Sequence, residues 1–288
     1  MNNCNNFPNI FEIQTASFCN ANCIICPYRI VSKKLPKGFM SPTLFNKIID
    51  EIGISGSKII PYFNNEPFLD PYFIERLKYI QKKCSNSMIE ISTNMSLLNK
   101  SMQDKLQGIV IDDLRLSTFG FTSKTHKKIM PGISWNKVFD NLKSLSLNKT
   151  LRSNIRSLSL VMINYPDIDK NDIKLAKQFC KDNDIKFKLW GFLDRSGNVD
   201  LYSNNINNKK IIGCEYNRPI ERMHITHTGK VVICCMDWKW NYVLGDLNNE
   251  TIQNIWNSNK YNNIRKSIYD GFGAPKICLK CKLSISGK

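Results

Sequence analysis

The chain contains no apolar run near the roughly 20 residues that a membrane-spanning helix needs. Its start, MNNCNNFPNIFEIQ, lacks the basic and apolar regions of a secretory signal, so a cytoplasmic protein is expected. No segment recurs at a fixed period. There is no dense block of Lys or Arg either, although 41 basic and 24 acidic residues leave a net charge of +17. Such a charge suits nucleic acid, an anionic membrane surface or a phosphorylated small molecule. Scattered lysines and abundant asparagines also suit an AT-rich coding sequence, and the charge is taken as support for an anionic substrate. At 288 residues, one large domain plus a small appendage is expected.

Cysteine is what the chain does have. Eleven in a sequence without an export signal point to metal or redox chemistry rather than to a disulfide framework. Cys19, Cys23 and Cys26 form one set and Cys214, Cys234, Cys278 and Cys281 another, leaving Cys4, Cys84, Cys180 and Cys235. The first set reads Cys-x3-Cys-x2-Cys. Three thiolates so close can hold three corners of a cubane iron–sulfur cluster and leave its fourth iron open to a small molecule. A zinc knuckle would need a fourth Cys or His, and none lies nearby.

Short β-branched or aromatic runs alternate with helix-patterned segments over the first two-thirds. Strands are expected at Ile10–Ala16, Lys58–Phe63, Met88–Ser92, Asp113–Thr118, Ile155–Ile163 and Ile185–Trp190. Helices are expected at Pro42–Ile52, Tyr72–Cys84, Trp135–Leu147 and Asp169–Asn183, with Ser41-Pro42 as cap and first turn of the first of these. Six such repeats predict an α/β fold, a partial (β/α)6 TIM-like barrel over residues 1–200, with chemistry at the carboxyl ends of its strands. The cysteine triad directly follows the first strand. Ser203–Lys210 reads as a linker, and residues 201–288 as a small α+β domain. There, Arg222–Thr226 and Lys230–Cys235 flank a hairpin turn at His227-Thr228-Gly229, and Thr251–Ser258 and Tyr261–Tyr269 look helical.

The triad and the strand ends after it resemble the radical S-adenosylmethionine (SAM) superfamily. The resemblance implies a 4Fe–4S cluster on Cys19, Cys23 and Cys26, whose open iron takes the amino and carboxylate groups of S-adenosylmethionine. Phe63-Asn64-Asn65-Glu66-Pro67 is similar to the family's Gly-Gly-Glu-Pro segment, which holds the methionyl amino group. Asparagine replaces both glycines and tolerates left-handed backbone better than most residues. Ser92-Thr93-Asn94 is similar to the family's Thr-Asn-Gly segment, and Ser117 sits in a counterpart of its serine-containing fourth strand end. By the same resemblance these groups, with Arg156, Asn164 and Trp190 about the fifth and sixth strands, contact ribose, carboxylate or adenine. Each also reads as a strand-end cap or turn former, and Trp190 as a core residue.

Cys214, Gly229-x4-Cys234 and Cys278-x2-Cys281, with Gly245-Asp246-Leu247 and Ile255-Trp256-Asn257, resemble the SPASM/twitch extension of these enzymes. Four ligands fit one auxiliary 4Fe–4S cluster, two clusters in all, with a structural Cys4 zinc as the alternative by ligand type. Neighbours on a strand face opposite ways, so Cys234 and Cys235 are not expected on one cluster. Cys235 is then a buried apolar residue or a hydrogen donor to a substrate radical.

The resemblance implies one-electron reduction by flavodoxin or ferredoxin, cleavage of S-adenosylmethionine to a 5′-deoxyadenosyl radical, and hydrogen abstraction from substrate. Dehydrogenation and epimerisation are the two outcomes. About nine residues precede the first strand, too few for a peptide-recognition domain, so a small carbohydrate or nucleotide sugar is expected. Arg195, Arg222 and Asp237 are candidate substrate residues, with Arg152, Asp194, Arg218 and His224 behind them. The alternatives are peptide or protein modification by the same chemistry and a zinc-knuckle nucleic-acid-binding protein. No membrane partner is expected.

Overall fold

The computed structural model describes residues 5–199, 210–271 and 273–287. β1 (Ile10–Ile13) pairs in parallel with β2 (Lys58–Ile60). β3 (Glu90–Thr93), β4 (Asp113–Ser117), β5 (Leu158–Asn164) and β6 (Lys186–Gly191) form a second parallel sheet in chain order. A single parallel bridge, Ile59 to Ile89, joins the two sheets. This is the expected partial barrel. Alternation along the strands sorts its two faces: Leu114 and Leu116 of β4 are buried in the core, while Arg115 and Ser117 line the interior space.

The helices follow their apolar periodicity. Pro42–Ile52 buries Leu44, Phe45, Ile48, Ile49 and Ile52, and the Ser41 hydroxyl accepts from Leu44 N at 3.2 Å as its cap. Trp135–Leu147 forms with the expected ends. Phe73–Lys83 and Lys170–Asp182 are each one residue shorter at either end than expected, because Tyr72, Cys84, Asp169 and Asn183 serve as caps.

Three strands differ from expectation in ways that matter. β1 and β2 stop early, so Gln14–Ala16 and Pro61–Phe63 become loop at the carboxyl end, where the site forms. β5 starts at Leu158 rather than Ile155, which makes only an isolated bridge to Ile111 and leaves Arg156 outside the strand.

In the last third, β7 (Ile211–Cys214) pairs with β11 (Ser284–Ser286), while β8 (Arg222–Ile225), β9 (Lys230–Val232) and β10 (Val243–Asp246) form an antiparallel run. The turn at His227-Thr228-Gly229 joins β8 to β9, with Gly229 at φ 87°. β8 lies parallel to β1, with Ile10 opposite Arg222 and Ile13 opposite Ile225. The C-terminal segment therefore extends the barrel sheet itself and is not merely appended to it. The expected boundary at residue 200 and the Ser203–Lys210 linker, Lys210 apart, lie outside the described residues.

Candidate active site

The triad occupies the loop after β1. Asn22 N donates to Pro131 O at 2.6 Å and Ile24 N to Ile129 O at 3.0 Å, so the loop is fastened to the helix Ser123–Ile129 and the turn after it. Cys19 N donates to the Tyr28 hydroxyl at 2.8 Å and Cys26 N to Cys23 O at 3.1 Å. All three cysteines line one cavity of about 340 Å³, partly open to solvent, at the carboxyl ends of the strands. Burial pushes the Cys19 thiol up to about 12, with Glu66 and Cys26 adding to the shift, and Cys23 well above its usual range. Such thiols ionise only against a strong positive charge, which cluster iron provides.

On the facing strand ends, Asn64 adopts φ 59°, the left-handed backbone for which the family uses glycine. Asn65 Oδ1 accepts from Phe63 N at 3.0 Å, and its buried Nδ2 has no partner among the described residues. That free donor in the cavity wall is the polar remainder a bound cofactor would satisfy. Glu66 accepts from Thr93 Oγ1 at 2.7 Å and Asn94 N at 2.8 Å, and burial raises its carboxyl to about 7. Ser92 and Ser117 share a hydrogen bond of 3.0 Å, and Trp190 stands 42 % exposed at the end of β6. Asn64, Asn65, Glu66, Ser92, Thr93, Asn94, Ser117, Trp190, Arg195, Arg222 and Cys235 all line this cavity.

Several expected residues do not. Arg156 precedes β5, at the opposite end of the strand, and pairs there with Asp112 at 2.7 Å. Asn164 is exposed at the end of β5, outside the lining, and Pro67 is buried behind Glu66 in a 3-10 turn. The Asp237 carboxylate is spent on the Asn241 and Tyr242 amides at 3.0 and 2.8 Å, closing a turn. Arg152 donates to the Ser146, Asn183 and Asp184 carbonyls, away from the cavity, and Asp194 is buried outside its lining.

Of a polar interior wall, Arg222 and His224 were expected from the sequence, whereas Glu12, Tyr62, Glu90 and Arg115 went unread. Arg222 donates to Glu12 at 2.9 Å, and His224 Nε2 lies 3.5 Å from the same carboxylate. Burial alone would raise Glu12, but His224 and Arg222 hold it down at about 2. Glu12 and Cys235 in turn raise His224 to about 9 against its own burial. Alongside, Glu90 accepts from the Tyr62 hydroxyl at 3.3 Å and makes close ion pairs with Lys58 and Arg115. The Arg115 guanidinium stands 5.3 Å from the Trp190 ring. The available signal was a polar residue at alternate positions of otherwise apolar parallel strands: Glu12 in IFEI, Glu90 and Ser92 in EIST, Arg115 in DLRLS.

In the second cysteine set, Ser284 of β11 sits opposite Cys214 of β7, and Cys281 N donates to Cys278 O at 3.1 Å. Burial, then Cys281 and Cys214, push the Cys278 thiol to about 12. β9 ends at Val232, so Cys234 and Cys235 lie in the following turn and the expected opposition of strand neighbours fails. Their sulfurs and a His224 nitrogen lie within 4.8 Å of one another. The Arg218 guanidinium feels Cys235, Cys234 and Cys214, linking the two sites.

Residues 13–180 match the family model described as the radical SAM superfamily, and residues 214–282 match SPASM, an iron–sulfur cluster-binding domain. The chain is 23% identical over 279 residues to the S-adenosyl-L-methionine-dependent 2-deoxy-scyllo-inosamine dehydrogenase of Niallia circulans, covering 94% of this chain and 92% of that one. The crystal structure of BtrN in complex with AdoMet and 2-DOIA superposes with a TM-score of 0.65 at 18% identity, covering 96% of this chain and 93% of that one. Streptococcus suis SuiB bound to precursor peptide SuiA gives a TM-score of 0.72 at 15% identity, covering 97% of this chain and 71% of SuiB. With more than half its length matched and its cysteine loop at the mouth of a partial barrel, the chain belongs to the radical SAM superfamily and carries a SPASM-type C-terminal domain.

Proposed function

We propose that the chain removes a hydrogen atom from a small carbohydrate-like molecule, leading to dehydrogenation or epimerisation. In this reading Cys19, Cys23 and Cys26 hold the cluster that binds S-adenosylmethionine, and Cys214, Cys234, Cys278 and Cys281 hold one auxiliary 4Fe–4S cluster. When bound, these groups supply reductive cleavage of the sulfonium, a 5′-deoxyadenosyl radical, and a sink for the second electron of an oxidation.

The observation that carries the substrate class is the interior wall. Glu12, Tyr62, Glu90, Arg115 and Arg222 present carboxylates, a phenol and guanidiniums to one space, with the Trp190 face beside them. A polyhydroxylated ring needs this pairing of many fixed polar groups with an aromatic face for its C–H surface. Arg222 Nε and Arg218 Nε and Nη1 are buried donors without partners among the described residues, and they fit ligand oxygens. Glu12, held ionised by His224 and Arg222, keeps an acceptor in the wall at neutral pH. Similarity to the inosamine dehydrogenase supports the same class. The many unbridged cysteines suit a reducing, cytoplasmic setting.

Peptide modification is the second reading, favoured by the fold shared with SuiB. One experiment separates them. Anaerobically reconstituted protein is given S-adenosylmethionine, dithionite and, in deuterated buffer, a panel of aminocyclitols, sugar phosphates, nucleotide sugars and short peptides. A carbonyl product or one deuterated carbon on a sugar is expected. Stoichiometric zinc with no cleavage of S-adenosylmethionine would end the enzymatic reading, and turnover of peptides alone would replace the substrate.

A further inference from the structure

Two arginines of the cavity wall are answered by carboxylates: Arg222 pairs with Glu12, and Arg115 with Glu90 and Asp113. Arg218 is not. It is 9 % exposed and lines the same cavity, yet it makes no ion pair among the described residues, and its buried Nε and Nη1 find no acceptor there. A buried charge left unanswered is strongly destabilising, so a negative group belongs beside it. Its place in the chain says which. Asn217 N donates to Cys214 O at 2.9 Å, closing a turn that leads from Cys214 directly into Arg218. The short helix Arg218–Glu221 is held from behind, where buried Arg265 donates to Pro219 O at 3.0 Å and to Trp256 O at 2.7 Å. Burial disfavours the Arg218 charge, and Cys235, Cys234, Glu12 and Cys214 together outweigh that. Glu12 is already shared by Arg222 and His224, which leaves the sulfurs.

We infer that Arg218 is the counter-charge of the auxiliary cluster on its substrate side, a positioning residue that makes the cluster a better electron acceptor. The inference rests on the reading above that Cys214, Cys234, Cys278 and Cys281 hold a 4Fe–4S cluster. Four thiolates leave such a cluster an anion, and reduction adds one more negative charge. A fixed cation in a low-dielectric wall stabilises the reduced form more than the oxidised one, which raises the reduction potential. Dehydrogenation of an alcohol carbon draws on that. Once its hydrogen atom has gone to the 5′-deoxyadenosyl radical, the substrate radical gives its hydroxyl proton to water and one electron to the oxidised auxiliary cluster, and a carbonyl remains. Arg218 belongs both to the cavity lining and to the turn that follows Cys214, so its charge spans donor and acceptor.

The test compares R218Q and R218K with wild type and with K174Q, an exposed lysine on the outer helix Lys170–Asp182. After anaerobic reconstitution, iron is counted and both clusters are titrated potentiometrically under EPR. The signal that responds to S-adenosylmethionine marks the cluster on Cys19, Cys23 and Cys26. In R218Q the ratio of reduced to oxidised auxiliary cluster at a fixed potential should fall about tenfold, ~59 mV toward lower potential for a one-electron couple. R218K should recover most of that shift, K174Q should show none, and the first cluster should move less than the second. Melting before and after reconstitution gives a readout without a redox signal. R218Q should melt no lower than wild type while the cysteines are empty, and lower once the clusters are built. A residue that only props the fold would lower both. An unmoved auxiliary potential in R218Q would overturn the inference, as would equal loss of melting temperature before and after loading. Weaker binding of sugar phosphates with an unmoved potential would make Arg218 a substrate-anion contact instead. Iron for one cluster only, with zinc on the second set, would take down the reading beneath the inference along with it.

Discussion

Arg222 on β8 donates to Glu12 on β1 at 2.9 Å, an ion pair that joins the last third of the chain to its first strand across a parallel ladder. The same pair forms part of the cavity wall, so the seam between the two halves of the molecule and the interior of its cavity are one piece of structure. Removing the arginine leaves a buried carboxylate with only His224 for company. R222A is expected to lower unfolding stability by about 2–4 kcal/mol, read by chemical denaturation, and E12Q/R222A to recover part of that loss.

Asn64 tests the cofactor segment. At φ 59° it sits where glycine is at ease and a β-branched residue is strained. N64G should bind S-adenosylmethionine as wild type does. N64V should lose about 1–2 kcal/mol of stability together with affinity, read by thermal melts and by calorimetric titration.

His126 gives a pH dependence of known sign. It is fully buried against Trp135, ring centroids 5.2 Å apart, and burial drives its pKa from 6.5 down to about 4. As pH falls below 6.5 the unfolded chain takes up the proton first, so this contribution is complete above 6.5 and is lost between 6.5 and 4. The slope is about 1.4 kcal/mol per pH unit inside that window. H126F should flatten the stability profile between those limits without changing it near pH 8.

A Cβ on Gly120 would lie 2.5 Å from His126 N and 2.7 Å from Thr125 C, both backbone atoms. G120A must therefore displace the start of the helix that supports the cysteine loop. A loss of about 2–3 kcal/mol is expected, with iron content after reconstitution falling in parallel.

Cys235 separates oxidation from inversion. If it returns a hydrogen atom to substrate, C235A should abolish deuterium incorporation while 5′-deoxyadenosine still forms. Unchanged product from C235A would remove the donor role.

Helices were legible because their signals are local. Ser41-Pro42 and the spacing of Leu44, Phe45, Ile48 and Ile49 contain the whole of Pro42–Ile52. The cysteine triad and Glu66 were legible for the same reason, as short spacings after a strand. Pairing was not. Nothing in IFEI or RMHI states that they lie side by side, since the register depends on contacts 212 residues apart. Arg156 was misplaced because resemblance alone carried it to the cofactor: even the expected strand Ile155–Ile163 sets it at the amino end, opposite the mouth. Asp237 was misread because its carboxylate is used by amides four and five residues on, which composition does not reveal.

The parallel pairing of β8 with β1 sets an order for making the molecule. The first strand to leave the ribosome has one edge that stays bare until residue 225 has emerged, long after the other barrel strands are available. A chain interrupted before that point offers an open template to any passing strand. Premature termination in this protein should thus yield sticky, aggregating fragments rather than a smaller working barrel.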